Sequence, residues 1–526
     1  MLFAVVLAAS QAAAQEPNRF VRLSTSITAR AVERGVVREQ RVELASAASL
    51  FEPGSDRTVQ LDLFPDLSVM AVRERVEISP AGRVWIGTTP AYDGGRVLIS
   101  ASSDAVVATV WTFFGTYRIQ RGLGGYLVQQ LAPAPGADVD DAVVPPPSVG
   151  GTPPVRKAPG PSKDDGSVID VMVLYTPAAM AAWGSDAAAK AAIGIDVATV
   201  NTAFLNSRLP SKVRLVYTGR IDSVEAGSSG IDLTRLRTPN DGFMDSVQAL
   251  RDLYAADLVA LVVTDNDSCG RAYVRLPGQD ASWAYSVVSR ACVANARTSA
   301  HEWGHNLGLM HDWYVADSSG YFADSHGFVS LQAGFYDLMA YPSLCADSRT
   351  SCQQLFQYAS PNILYRNVPT GIVSGTDLSC RIGDISHTDC DADGVRTILT
   401  TLSQVAQYRD SATNTRFFAL VPGQSVVSNS GQFGLMYQTD GNLVVADTRT
   451  GKPTWFSNTS GVTAGVTILQ SDGNLVIYSA TGRVAWNSGT SGYEDARLVL
   501  QDDGNLVIYS TDGRPLWDAF SHPTGQ

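Results

Sequence analysis

His301-Glu302-Trp303-Gly304-His305-Asn306-Leu307-Gly308-Leu309-Met310-His311 holds three of the chain's six histidines, at spacings that suit a single metal ion. An α-helix repeats about every 3.6 residues, so His301 and His305 project from one face, a turn apart. Glu302 stands one residue round from the first of them, in reach of a metal-bound water without being a ligand. Gly308 takes φ > 0 at little cost, which lets the chain turn sharply and return His311 as a third donor. Three imidazoles that leave a fourth position for water, with a carboxylate alongside, are the donor set of a zinc hydrolase.

Downstream stands Tyr336-Asp337-Leu338-Met339-Ala340-Tyr341-Pro342, a methionine in a turn. Together the two stretches resemble the metzincin clan of zinc endopeptidases, whose pattern is H-E-x-x-H-x-x-G-x-x-H followed by a Met-turn. Asp312, directly after His311, resembles the reprolysin-like branch of that clan. The resemblance implies an α/β catalytic domain, a mixed twisted sheet with the zinc helix packed beneath it. It makes Met339 the apolar floor under the imidazoles, and Asp312 a residue that orients structure near His311. Glu302 becomes the general base that takes a proton from water and hands it to the leaving amine. Tyr341 resembles the tyrosine that in some metzincins stabilises the oxyanion. Similarity to bacterial peptidyl-Asp metallopeptidases further implies cleavage before acidic residues.

At 526 residues the chain exceeds a single hydrophobic core, so several domains are expected. Residues 1–15 are an apolar run ending in a small-residue site, which reads as a secretory signal without its basic start. Residues 16–131 alternate apolar and polar in short runs such as Val84-Trp85-Ile86 and Val97-Leu98-Ile99, a β-rich pattern. Residues 132–166 are rich in Pro, Ala, Gly and Asp, the composition of an extended linker that buries no core. A folded segment on a cleavable linker before a secreted protease reads as a propeptide, with cleavage expected within 154–165. It has no cysteine to plug the zinc; Asp66 is one candidate carboxylate, although a turn at a strand end explains it more simply.

Residues 167–410 read as the catalytic domain. Strands are expected at 168–175, 213–217, 258–263, 270–274 and 284–288, with helices at 187–205 and 245–254 and the zinc helix after them. An edge at 270–274 would bind an extended peptide as an added strand. All six cysteines fall here, and nearest-neighbour pairing (Cys269 with Cys292, Cys345 with Cys352, Cys380 with Cys390) closes the shortest loops. Asp389-Cys390-Asp391-Ala392-Asp393-Gly394 opens like a calcium loop, but its twelfth position is Thr400 rather than Glu. Asp391 or Asp393 capping a final helix at 394–408 is the simpler reading, with Ca2+ as the alternative.

Residues 415–526 repeat about every 31 residues. The copies run Gln438-x-Asp440-x-Asn442-x-Val444-x-Ala446, Gln470-x-Asp472-x-Asn474-x-Val476-x-Tyr478 and Gln501-x-Asp503-x-Asn505-x-Val507-x-Tyr509, each followed by a tryptophan, Trp455, Trp486 or Trp517. Period-2 alternation places the polar residues on one strand face, with D-G-N bending the chain. The pattern resembles bulb-type mannose-binding lectins, which implies an all-β β-prism of three sheets and sugar contacts from the Gln, Asp, Asn and Tyr of each copy. The first copy has Ala446 in place of Tyr, so Gln438, Asp440 and Asn442 form the weaker site. The tryptophans read as central core.

A net charge of −12 argues against a nucleic-acid partner, and no run beyond the N-terminus reads as a membrane span. The chain therefore reads as a secreted, extracellular zymogen of a zinc endopeptidase that acts on protein or peptide substrates and is targeted to mannose-type glycans. The rival from another class is a carbohydrate-binding protein whose metal domain is inert or structural. The open fourth position on the metal favours the enzyme, because structural zinc is closed by four protein ligands.

Overall fold

A computed structural model describes residues 18–24, 35–132, 141–145, 168–409 and 418–522, apart from 52–54, 56, 93, 123, 265–266, 295–296, 429, 471, 494–495 and 511–513. The expected signal at 1–15 and the cleavage segment at 154–165 lie outside the described residues.

The N-terminal part is a closed barrel of nine strands, β1 (Asn18–Leu23), β2 (Val36–Leu44), β3 (Thr58–Phe64), β4 (Leu67–Ser79), β5 (Gly82–Thr88), β6 (Arg96–Ser102), β7 (Ala105–Thr112), β8 (Gly115–Gly122) and β9 (Gly125–Leu131). A short helix α1 (Ala48–Phe51) precedes β3. Closure comes from the parallel pairing of β1 with β3, while β2 reaches back to β9. Trp85, Val97, Ile99 and Ala108 fill the barrel. Their neighbours Val84, Ile86, Leu98 and Val107 face outward, and these too are buried, in the core of the following domain. This corrects the expected apolar/polar alternation: β5 to β7 bury both faces, so their apolar residues run consecutively.

What covers that outer face is α3 (Asp186–Asn206), preceded by α2 (Pro177–Trp183). Thr176 and Ser185 cap the two helices by accepting backbone N–H bonds from Ala179 and Ala188. Small residues all round α3 let strands approach on one side and helix on the other. Among the described residues α3 is the one helix long and apolar enough to cross a membrane, and most of it is buried in this core.

The second sheet has the order β10 (Ala142–Val143), β14 (Gly270–Tyr273), β15 (Tyr285–Ser289), β13 (Leu258–Val263), β11 (Val168–Tyr175), β12 (Lys212–Arg220). It is mixed: β14 runs antiparallel to β15, and the other pairs are parallel. Helices α4 (Ser229–Arg237) and α5 (Ser246–Leu253) connect its strands, and α6 (Thr298–Asn306) carries the first two histidines. Beyond it lie α7 (Ser343–Asp347) and α8 (Gly394–Val405). The three disulfides are Cys269–Cys292, Cys345–Cys352 and Cys380–Cys390. Within the expected linker, residues 142–143 add β10 to the sheet, so β14 is not an edge among the described residues.

The C-terminal part is three sheets. One holds Phe418–Leu420, Ala464–Leu469, Leu475–Ser479 and Val484–Asn487. The second holds Ser425–Val427, Phe433–Tyr437, Leu443–Asp447 and Pro453–Phe456, and the third Arg497–Leu500, Leu506–Tyr509 and Pro515–Asp518. Trp455, Trp486 and Trp517 meet at the centre, each ring 5.5 to 5.7 Å from the other two. Edge-to-face packing of three equivalent rings is what a repeat folded about a threefold axis produces.

Candidate metal centre and sugar-facing turns

His301 and His305 leave α6 on one face, and the helix ends at Asn306. Gly308 has φ +99, as its position in the motif requires, and a Cβ there would meet Tyr321. The chain then bridges from Met310 to His326 and delivers His311 to the other two histidines. The Nε2 atoms of His301 and His305 are 3.1 Å apart, as are those of His305 and His311. His301 Nδ1 contacts the Leu338 carbonyl at 2.7 Å and His305 Nδ1 the Leu309 carbonyl at 2.8 Å. Two Nδ1–H groups donating to carbonyls leave their Nε2 lone pairs pointing inward. Lone pairs converging at that distance repel one another unless a cation sits among them, so these residues fit zinc. Burial pushes His301 down to about 3 and lowers His311, the direction that favours the neutral imidazole a metal takes as ligand.

Glu302 is fully buried, and both its carboxylate oxygens find no hydrogen-bond partner among the described residues. Burial and then the charge of Asp141 raise it well above the usual carboxylate range, while Arg271 opposes them. A buried carboxylate with no partner is costly, and one beside three converging imidazoles is poised for a ligand. Its space exists because β14 begins with glycine: a Cβ on Gly270 would occupy the Glu302 carboxylate. Asn306 fixes the helix to the sheet, donating from Nδ2 to the carbonyls of Tyr273 (2.9 Å) and Tyr285 (3.2 Å).

Met339 is buried with its sulfur over Gly304, where a Cβ would collide with it. Asp337 holds that turn by accepting backbone N–H bonds from Phe328, Met339, Ala340 and Ala359. Asp312 accepts from the Tyr314 and Tyr341 backbone N–H groups, which ties the residue after His311 to the Met339 turn. The Tyr341 ring lies 4.9 Å from that of His311 and 5.5 Å from that of His301. All the residues of the zinc motif and its turn thus come together.

A further residue joins them, which the sequence did not single out. Asp141 places Oδ1 2.7 Å from His311 Nε2 and 3.7 Å from His305 Nε2, and Oδ2 3.6 Å from His301 Nε2. The Tyr341 hydroxyl donates to the same carboxylate. Burial disfavours charge on Asp141, but the surrounding histidines outweigh it and hold the carboxyl well below its usual range. The four donors form one cluster of ligand atoms. Where the sequence reading left a fourth position for water, the described chain brings the Asp141 carboxylate beside the three histidines. Asp66 is elsewhere, exposed in a turn and paired with Arg38 at 2.8 Å. Asp393 caps α8 by accepting from the Arg396 N–H. Asp391 accepts from the N–H groups of Gly375, Thr376 and Asp377. Thr400 bonds within α8.

In the repeats, the expected strand face is corrected. Gln438, Asp440 and Asn442, and their equivalents Gln470, Asp472, Asn474 and Gln501, Asp503, Asn505, precede the strands that begin at Leu443, Leu475 and Leu506. The glycine of each D-G-N has φ of +85 to +89, which makes a turn closed by the Gln N–H donating to the Asn carbonyl. The polar groups therefore cluster at a hairpin tip. Gln470 and Gln501 donate to the hydroxyls of Tyr478 (2.8 Å) and Tyr509 (2.7 Å), an arrangement that Ala446 removes from the first copy. The Asn oxygens are spent internally: Asn442 accepts from Thr459 N, Asn474 from Thr490 N and Asn505 from Phe520 N. Among the described residues, only the third copy also spends its amide nitrogen, Asn505 Nδ2 donating to Asp518.

Residues 166–367 match the family described as metallo-peptidase family M12B, reprolysin-like, and residues 461–526 the D-mannose binding lectin family. A peptidyl-Asp metalloendopeptidase of Stenotrophomonas maltophilia (strain R551-3) is 29% identical over 406 residues, 72% of this chain and 90% of the relative. One from Pseudomonas aeruginosa is 37% identical over 171 residues, 29% of this chain and 27% of its own. Among solved structures, the mannose-specific agglutinin from snowdrop bulbs is 38% identical over 18% of this chain and 84% of its own, with a TM-score of 0.16.

Proposed function

From a chain that carries a reprolysin-like zinc metalloendopeptidase domain and a D-mannose-binding-lectin domain, we propose a secreted endopeptidase, made latent and directed to mannose-type glycans. The observation that supports the active-site reading is the convergence of three Nε2 lone pairs beside the unpartnered carboxylate of Glu302.

His301, His305 and His311 would hold one zinc ion, which when bound would supply Lewis-acid chemistry that makes water a nucleophile near neutral pH. Glu302 accepts the proton of the attacking water and returns it to the leaving amine. The Tyr341 hydroxyl, once released from Asp141, donates to the oxygen on which charge develops. β14 holds the substrate backbone as an added strand. Calcium has no part in this reading, because the Asp391 carboxylate is already engaged by three backbone N–H groups. The relatives' name makes a peptide with an internal aspartate the first substrate to try.

Casein hydrolysis with and without a chelator tests the activity. Glu302→Ala is expected to keep stoichiometric zinc and lose nearly all hydrolysis; full activity in that variant would refute the mechanism. Retention of the full chain on mannose–agarose, eluted by free mannose, tests the lectin. Asp141 favours one second reading: four protein donors are also the pattern of a structural zinc site, as in a glycan-binding protein with an inert metal domain. Against it stands Glu302, for which a structural site has no use.

A further inference from the structure

We propose that Asp141 and β10 are a removable plug that keeps the active site shut in the uncut chain, the carboxylate completing the zinc ligands and the strand covering the substrate edge. The inference rests on the endopeptidase reading and concerns how that site is regulated.

The donor comes from outside the domain that supplies the other three. His301, His305 and His311 lie within one short stretch, whereas Asp141 sits between the barrel and β11, in a segment whose Pro, Ala and Gly composition builds no core of its own. It is nonetheless 6% exposed, and its Oδ1 is 2.7 Å from His311 Nε2. Residues 1–268 contain no cysteine, so a thiolate cannot serve this purpose.

The strand that follows blocks a second function. Ala142 and Val143 pair in parallel with Ala272 and Tyr273 of β14. Ala272 N–H donates to the Asp141 carbonyl and Val274 N–H to the Val143 carbonyl, both at 2.9 Å. These are the groups an added substrate strand needs. Both carbonyls are thereby turned to β14, and what faces the histidines is a side-chain carboxylate. The plug also engages the Tyr341 hydroxyl, and so withholds the oxyanion donor along with the fourth zinc position.

The test compares intact full-length protein, its Asp141→Ala and Asp141→Asn variants, and wild type cut on both sides of Asp141. Integrity is followed by mass spectrometry. Each is loaded with Co2+ for its visible absorption and with Zn2+ for initial rates on casein. Uncut wild type is expected to hydrolyse casein more than about tenfold slower than uncut Asp141→Ala, as a tethered blocker at high local concentration requires. The Co2+ bands of the variant should differ from those of wild type, because one ligand has changed. Thermal melts of both variants confirm folding, and Asp141→Asn, which keeps the shape, should behave as Asp141→Ala in rate. Equal rates and equal spectra in uncut wild type and variants would overturn the plug while leaving the endopeptidase standing. A spectral change with no hydrolysis by any form, including the cut one, would instead overturn the endopeptidase reading on which the plug depends.

Discussion

Gly270 decides whether Glu302 has a place to sit. A methyl group there would overlap the carboxylate of a fully buried glutamate. Gly270→Ala should cost about 1–3 kcal/mol of stability, as overpacking does, and lower casein hydrolysis at least about tenfold through the displaced base. Denaturant melts and initial rates check both; an unchanged rate would show that Glu302 tolerates the shift. Asp196 gives a pH signature instead. Burial pushes it up to about 6, against the opposing donation of the Ser299 hydroxyl. A folded value above the unfolded one of about 3.9 means that this contribution to stability is complete below about pH 4. It is lost as pH rises through about 6. Asp196→Asn should therefore gain on wild type between pH 4 and 7, by on the order of 2–3 kcal/mol. A difference constant across that range would show that Asp196 does not titrate there. Neither Gly270 nor Asp141 was legible in the sequence: a strand glycine and a linker aspartate acquire their roles only from partners far along the chain.

Elements held by local periodicity were the readable part. The strand at Val168–Tyr175, the strand at Leu258–Val263 and the helix over Asp186–Asn206 announce themselves by unbroken apolar runs or helical composition. α4 did not, because its buried face includes the polar Ser229 and Asp232 while its Ile231 is exposed. The repeat turns were legible as turns but not in their orientation, since the positive-φ glycine breaks the two-residue alternation on which the strand reading relied. Their wiring now ranks the copies. Among the described residues Asn474 Nδ2 has no acceptor, whereas Asn505 donates its own to Asp518. Asp472→Ala should therefore weaken retention on mannose–agarose more than Asp503→Ala. Equal losses would show that the third turn binds as well as the second.

At the scale of the molecule, barrel closure escaped the sequence because it depends on β1 meeting β3 and on β9 returning to β2, pairings that no local pattern encodes. The same holds for the seam with α3, where Val84, Ile86, Leu98, Val107 and Trp111 join the core of the next domain. Burying that seam opposes separation of the pieces. A chain cut within 154–165 should co-elute as one particle in size-exclusion chromatography and separate only in denaturant; two peaks in native buffer would show that the seam does not hold.

The seam also bears on how many cuts release the site. Asp141 lies on the barrel side of any cut within 154–165, and the barrel stays on α3. A donor tethered in this way is present at an effective concentration of about millimolar, which dilution of the protein does not change. One cut therefore frees the catalytic chain's N-terminus without freeing its zinc. Release takes a second cut between β9 and Asp141, so activity in a digestion time course should follow that later break, making activation a coincidence of two events rather than the outcome of one.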